Sequence, residues 1–181
     1  MSPGTSLSGR MEWLSFEEHA KSIGLKIPQA ATPVGAYLLA VHGGTLLFTA
    51  GQGPVKDGVP VFKGKVGRDV TVEDAYEAAK LAALNCLAAA KSVLGTLDRI
   101  ERVVKVNGYI NSAPGFTDQA KVMNGASDLL AQIFGEKGRH ARTSVGVSEL
   151  PLNIAVEVDL ILAALPDRQS NPQRVKKLLR R

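Results

Sequence analysis

The sequence predicts an α+β domain, a mixed sheet with helices packed on one of its faces. Three observations predict it. Apolar positions repeat with the helical period over 71–95 and 117–135. They alternate, or run in β-branched blocks, over 36–54, 100–111, 142–147 and 153–165. The two kinds of segment follow one another as β-β-α-β-α-β-β, the order of an α+β domain. A chain of 181 residues, 45% hydrophobic and 22% charged, fits one such domain with a sizeable core.

Each element has its own signals. Residues 1–10, dominated by Ser, Gly, Pro and Thr, are expected to form a disordered leader, with the domain over 11–165. In "SFEEHAKSI" (15–23), Ser15 stands three residues before Glu18, as in a helix-starting capping box, and Gly24 can stop the helix. "AYLLAVHGGTLLFTAGQGP" (36–54) reads as a hairpin turning at His42-Gly43-Gly44, with Gly51 and Gly53 breaking its second strand. Residues 55–67 are a turn-rich excursion. The helix over 71–95 has Thr71 as cap, Glu73 and Asp74 in its first turn and Gly95 as its end. Its stripe of Ala75, Ala78, Ala79, Ala82, Ala83, Cys86, Leu87, Ala90 and Leu94 is mostly alanine, so it can lie close against a sheet. "IERVVKVNGYIN" (100–111) is a strand. The second helix, 117–135, has Thr117 or Asp118 as cap and Gly135 as stop. In the last strand Val156, Val158, Leu160 and Leu162 share one face, and Glu157, Asp159 and Ile161 the other. The sheet's second face is thus also partly apolar, and a further subunit is expected to cover it.

Composition excludes several function classes. No apolar run approaches the roughly 20 residues that span a membrane, and "MSPGTSLSGRMEW" lacks the apolar core of a secretory signal. The lone Cys86 cannot form an internal disulfide and reads as a small buried hydrophobe. Cytoplasmic residence is the default expectation. The net charge of +5 resides wholly in the tail 166–181, where Arg168, Arg174, Lys176, Lys177, Arg180 and Arg181 face only Asp167. The rest of the chain is neutral, so nucleic acid is not an expected partner, and the tail is expected to be flexible. His19, His42 and His140 are scattered; no metal-ligand cluster and no cofactor is predicted. "GQGP" lacks the lysine of a phosphate-binding loop and reads as a strand break.

One stretch raises a chemical question. In "GRHARTSVGVSELP" (138–151), Arg142 shares a strand face with Ser144 and Gly146, while Thr143, Val145 and Val147 share the other. A guanidinium among small residues needs a partner. If 142–147 and 154–164 form a hairpin about Leu150-Pro151, Arg142 comes beside Glu157. That pair has two readings: a structural ion pair, or a cation for an anionic substrate beside a carboxylate for proton handling. His140, two residues before Arg142, is expected to be a loop histidine.

The run "HARTSVGVSELPLNIAVEVDLILAA" resembles the signature of the RidA/YjgF family of reactive enamine/imine deaminases, an Ala-Arg-Ser-x-Val block followed by Leu-Pro and an acidic strand. "VGAYLLAV", "LLFTAGQGPV", "VVKVNGYINS" and "VMNGASDLLAQIFG" match its other blocks in order, so the resemblance spans about residues 32–164. It implies a chorismate-mutase-like fold and a homotrimer with clefts between subunits. It also implies hydrolysis of 2-aminoacrylate and 2-imino acids to 2-keto acids and ammonia. By this resemblance Arg142 holds the substrate carboxylate and Glu157 orients the water. Tyr37, Gly51, Asn124 and Ser144 fall on cleft positions, and Phe116, in an inserted segment, can close the cleft apolarly. The chain departs from the pattern at Ala50, where the family has serine, at Ser144, a frequent cysteine, and at Ala36, a proline. It therefore resembles a divergent branch. Two alternatives stay open: a non-catalytic metabolite-binding trimer, and RNA cleavage.

Overall fold

In a computed structural model that describes residues 14–33 and 35–165, each predicted helix forms between its predicted caps. Helix α1 (Phe16–Ser22) opens on a complete capping box: the Ser15 hydroxyl accepts from the Glu18 N–H, and the Glu18 carboxylate accepts from the Ser15 N–H. Helix α2 (Val72–Leu94) begins where Thr71 Oγ1 accepts from the Asp74 N–H and ends at Gly95, whose φ of 82° suits glycine. Helix α3 (Gln119–Phe134) starts after Asp118, which makes no side-chain cap bond, and stops at Gly135. The expected leader 1–10 and tail 166–181 lie outside the described residues.

The strands are β1 (Ala40–Gly43), β2 (Leu46–Thr49), β5 (Ile100–Asn111), β6 (Ala141–Val147) and β7 (Val156–Ala164). They make one sheet in the order β1-β2-β7-β5-β6. A small separate hairpin, β3 (Val55–Lys56) and β4 (Val59–Pro60), lies within the turn-rich excursion. All neighbours in the large sheet are antiparallel except β5 and β6, which run parallel, so the sheet is mixed as expected. Val103, Val106 and Ile110 of β5 and Val156, Val158, Leu160 and Leu162 of β7 are buried on the helix side. The predicted alanine stripe of α2 is wholly buried, including Cys86, whose thiol donates to the Val158 carbonyl. The small side chains let the helix axis approach β7.

One expectation fails. β6 and β7 do not form a hairpin, because β5 lies between them, parallel to one and antiparallel to the other. The short link that suggests a hairpin instead crosses the end of β5. Buried Asn111 secures that crossing: its amide donates to the Gly64 and Ile154 carbonyls and to Asn153 Oδ1, and its oxygen accepts from Lys65 Nζ at 2.7 Å. Lys65 also bonds the Ser148 carbonyl and pairs with Glu149 at 3.2 Å. Each buried polar atom of the asparagine amide therefore has a partner, as burial requires.

Helices α2 and α3 cross on the sheet at Gly125. A Cβ there would collide with the Tyr76 backbone carbonyl, which cannot swing aside as a side-chain end could. Gly125→Ala should therefore lower stability by roughly 1–3 kcal/mol through overpacking, although alanine is the better helix former. Urea denaturation checks this, and a gain in stability would contradict it.

Candidate functional site

Arg142 lies on the helix-facing side of β6. It pairs in register with buried Val106 of β5, so its side chain rises toward α3. There Nη1 donates to Asn124 Oδ1 and to Ser127 Oγ, each at 3.0 Å, and Nη2 donates to the Ala120 carbonyl at 3.1 Å. Residues 120, 124 and 127 form one helical stripe, which is why one guanidinium reaches all three. All three partners are neutral, so the positive charge is held without being neutralised. Three of the five N–H groups are engaged among the described residues, and two remain for a ligand. Ser144, two residues on, shares this face and pairs with Gly108.

Glu157 stands on the opposite face. It pairs with Tyr109, and next to it Asp159 accepts from Asn107 Nδ2 at 2.8 Å and Tyr109 Oη at 3.2 Å. Burial, and then the neighbouring Asp159, raise the Glu157 carboxyl above its ordinary range. A Cβ at Gly51 would meet the end of the Glu157 side chain, so glycine here leaves the carboxylate room in its present position against β2's continuation. Gln52, next to Gly51, bonds Val158 through both backbone groups and fixes that approach. Tyr37 precedes β1 at the same end of the sheet, 49% exposed. Around this group the open face is apolar: Val41, Phe48 and Val145 are 51%, 43% and 41% exposed.

The predicted residues thus fall into two groups. Arg142, Asn124 and Ser144 share the helix side of the β6 edge; Glu157 and Gly51 share the open face, with Tyr37 at their end. Arg142 and Glu157 are three residues apart along the strands and two strands apart across them. At ordinary sheet spacings that is roughly 14 Å. The expected Arg142–Glu157 adjacency within one chain is therefore absent, for the same reason that the hairpin is: β5 intervenes. Phe116 lies against Gly67 and the core. A concavity of about 760 Å³ between the β3–β4 hairpin, α2 and the segment near Lys26 contains neither Arg142 nor Glu157.

Sequence reasoning passed over Ser127 and its tie to His140. His140 is a loop residue, as expected, but half-buried and bonded at both ring nitrogens. Nδ1 lies 2.6 Å from the Gly138 carbonyl and Nε2 lies 3.0 Å from Ser127 Oγ. No spacing rule links a mid-helix serine to a histidine thirteen positions on; only the turn after α3 brings them together.

The comparisons agree with this architecture. Residues 17–164 match the family model described as "YjgF/chorismate_mutase-like, putative endoribonuclease". Protein TCP17 of Trypanosoma cruzi is 45% identical over 141 residues, covering 77% of this chain and 88% of that protein. The crystal structure of Atu1372 from Agrobacterium tumefaciens, a protein of unknown function, superposes with a TM-score of 0.77. It is 44% identical and covers 83% of this chain and 92% of that one. A Shewanella oneidensis structure described as a "putative endoribonuclease" has a TM-score of 0.80 at 35% identity, covering 83% and 99%. With the α+β order, the mixed sheet and the signature strand all in place, the chain belongs to the RidA/YjgF family and has its chorismate-mutase-like fold.

Proposed function

We propose that the protein hydrolyses 2-aminoacrylate and its tautomeric 2-imino acids to 2-keto acids and ammonia, at sites assembled between copies of the chain. The observation that carries this reading is Arg142: a half-buried guanidinium held by three neutral acceptors, with two N–H groups not engaged among the described residues. That arrangement suits a two-point grip on a carboxylate. Glu157 handles the protons: it orients the attacking water, takes one proton as the oxygen bonds to the imine carbon and passes it to the nitrogen, then takes the hydroxyl proton of the resulting carbinolamine and passes it to the nitrogen as the C–N bond breaks, releasing the keto acid and ammonia.

The two groups lie on opposite faces of the sheet, so one site holding both takes Arg142 from one copy and Glu157 from its neighbour. The exposed apolar face and the two edge strands, β1 and β6, unpaired on their outer sides among the described residues, favour a closed ring of copies, and we take the homotrimer as its form. The Glu157–Asp159 acidity beside the site and the neutral body weigh against RNA as the substrate. Ala50, where the family has serine, keeps a metabolite-binding protein as the second reading.

Light scattering at micromolar concentration should give about three times 19.2 kDa; a monomer would overturn the shared site. Imine hydrolysis should be measurable with 2-imino acids generated in place by an amino-acid oxidase. Tight binding of 2-keto acids without turnover would favour the metabolite-binding reading. Arg142→Lys keeps the charge but loses the planar fork, so it should cost nearly as much kcat/KM as Arg142→Ala, roughly a hundredfold.

Glu157→Gln should lower kcat more than it raises KM. Wild-type kcat should fall as pH drops through the raised Glu157 pKa, giving an acid limb above the ordinary carboxylate range. The stability effect has the opposite sense from that of a salt-bridged acid. A raised folded pKa means that ionised Glu157 opposes folding above that pKa, a cost relieved as pH falls through it. Glu157→Gln should thus be at least as stable as wild type at pH 7. A large loss of Tm would show that the carboxylate is needed structurally.

A further inference from the structure

We propose that Ser127 and His140 are positioning residues for Arg142: a hydroxyl–imidazole relay, closed on the Gly138 carbonyl, that fixes the direction of the guanidinium's two free N–H groups. The proposal rests on the reading of Arg142 as a carboxylate grip.

The hydrogen-bond directions follow from the atoms. The Gly138 carbonyl can only accept, so His140 Nδ1 carries the proton and donates to it. Nε2 is then the bare nitrogen of a neutral ring and accepts from the Ser127 hydroxyl. With its single proton committed to the imidazole, the serine oxygen turns a lone pair to Arg142 Nη1. Asn124 and Ala120 complete the cradle from the same helix.

This arrangement is built for holding rather than attack. A serine nucleophile needs a free lone pair aimed at an electrophile, and here the arginine occupies it. The charged group whose field His140 feels is Arg142 itself. Burial first, and then that field, hold the imidazole below its ordinary pKa against the pull of the Gly138 carbonyl, which keeps the ring neutral and Nε2 free to accept.

The relay also spans two elements. Ser127 is on α3, and His140 lies just before β6. The ring therefore locks the end of the β6 strand that carries Arg142 to the helix that cradles it. An arginine held by α3 alone could swing with its long side chain; one also fixed through the strand's own preceding residue has its fork set before a ligand arrives.

The test uses the full-length protein with pyruvate as the probe anion, read by calorimetry, and NMR titration of His140. Ser127→Ala should weaken pyruvate binding on the order of tenfold, and Ser127→Thr, which keeps the hydroxyl, should restore it to within about twofold of wild type. The double variant Ser127→Ala/His140→Phe should bind no worse than the weaker single variant, because the two act as one unit. In the wild type, saturation with pyruvate should raise the His140 pKa as the carboxylate offsets the Arg142 charge, and Arg142→Gln should raise it likewise. In turnover, the loss should appear in KM rather than kcat.

Wild-type pyruvate affinity in Ser127→Ala, with only Tm lowered, would overturn the proposal. So would a His140 pKa indifferent to Arg142→Gln. Pyruvate binding without any imine hydrolysis overturns the deaminase reading alone. No pyruvate binding by wild type at millimolar concentration overturns the grip, and the relay with it.

Discussion

The site depends on one crossover. Because β5 and β6 run parallel, the chain between them must travel back along the sheet, and it does so as α3 packed on one face. Alternate residues of β6 then point up at that helix. Arg142 is one of them, and every acceptor that holds it belongs to α3. The same parallel pairing places β5 between β6 and β7, so Glu157 lies two strands away, and the three-residue offset between Val106 and Tyr109 on β5 puts it on the opposite face. Remove the crossover, by pairing β6 directly with β7, and the arginine would meet the glutamate as an ion pair. Among the described residues, the fold instead leaves both charges without an ionic partner.

Much of this was legible in residue order. Thr71, Gly95, Ser15 and Glu18 mark helix ends by local hydrogen bonding that needs no tertiary context. The alanine stripe of α2 and the alternation of 156–162 announce which faces are buried. Arg142 stood out because a guanidinium on a small-residue face has no obvious partner, and Glu157 because the expected hairpin and the family signature both placed it opposite that arginine. The pairing of the strands was not legible. A link of eight residues, 148–155, suits a hairpin as well as a step over an intervening strand end, and periodicity carries no information about which. The Asn111 and Lys65 bonds that hold the step are long-range and leave no local pattern. The Ser127–His140 contact was hidden for the same reason.

The charges divide by role. On the open face, Asp159 is tied by Asn107 and Tyr109, while Glu157 lies beside Gly51 and its carboxyl is raised by burial and by Asp159, so the two neighbouring carboxylates differ in environment. Under the proposed deaminase reading, one anchors the strand pair and the other serves as the base. On the helix face the guanidinium keeps its full charge because its partners are dipoles. A substrate that carries a carboxylate beside a C=N bond asks for this division: a fixed cation at one end and a proton acceptor at the other.

The central claim is that each site takes Arg142 from one copy and Glu157 from its neighbour. Subunit mixing tests it most directly. Arg142→Ala and Glu157→Gln, each nearly inactive alone, are unfolded together, refolded as mixed oligomers and assayed for imine hydrolysis. A shared site restores activity, because a neighbour pair can combine an intact Arg142 with an intact Glu157; random mixing in equal amounts gives about a quarter of the wild-type rate. Mixed oligomers that stay as inactive as their parents would contradict the account and place both residues in a site within one chain.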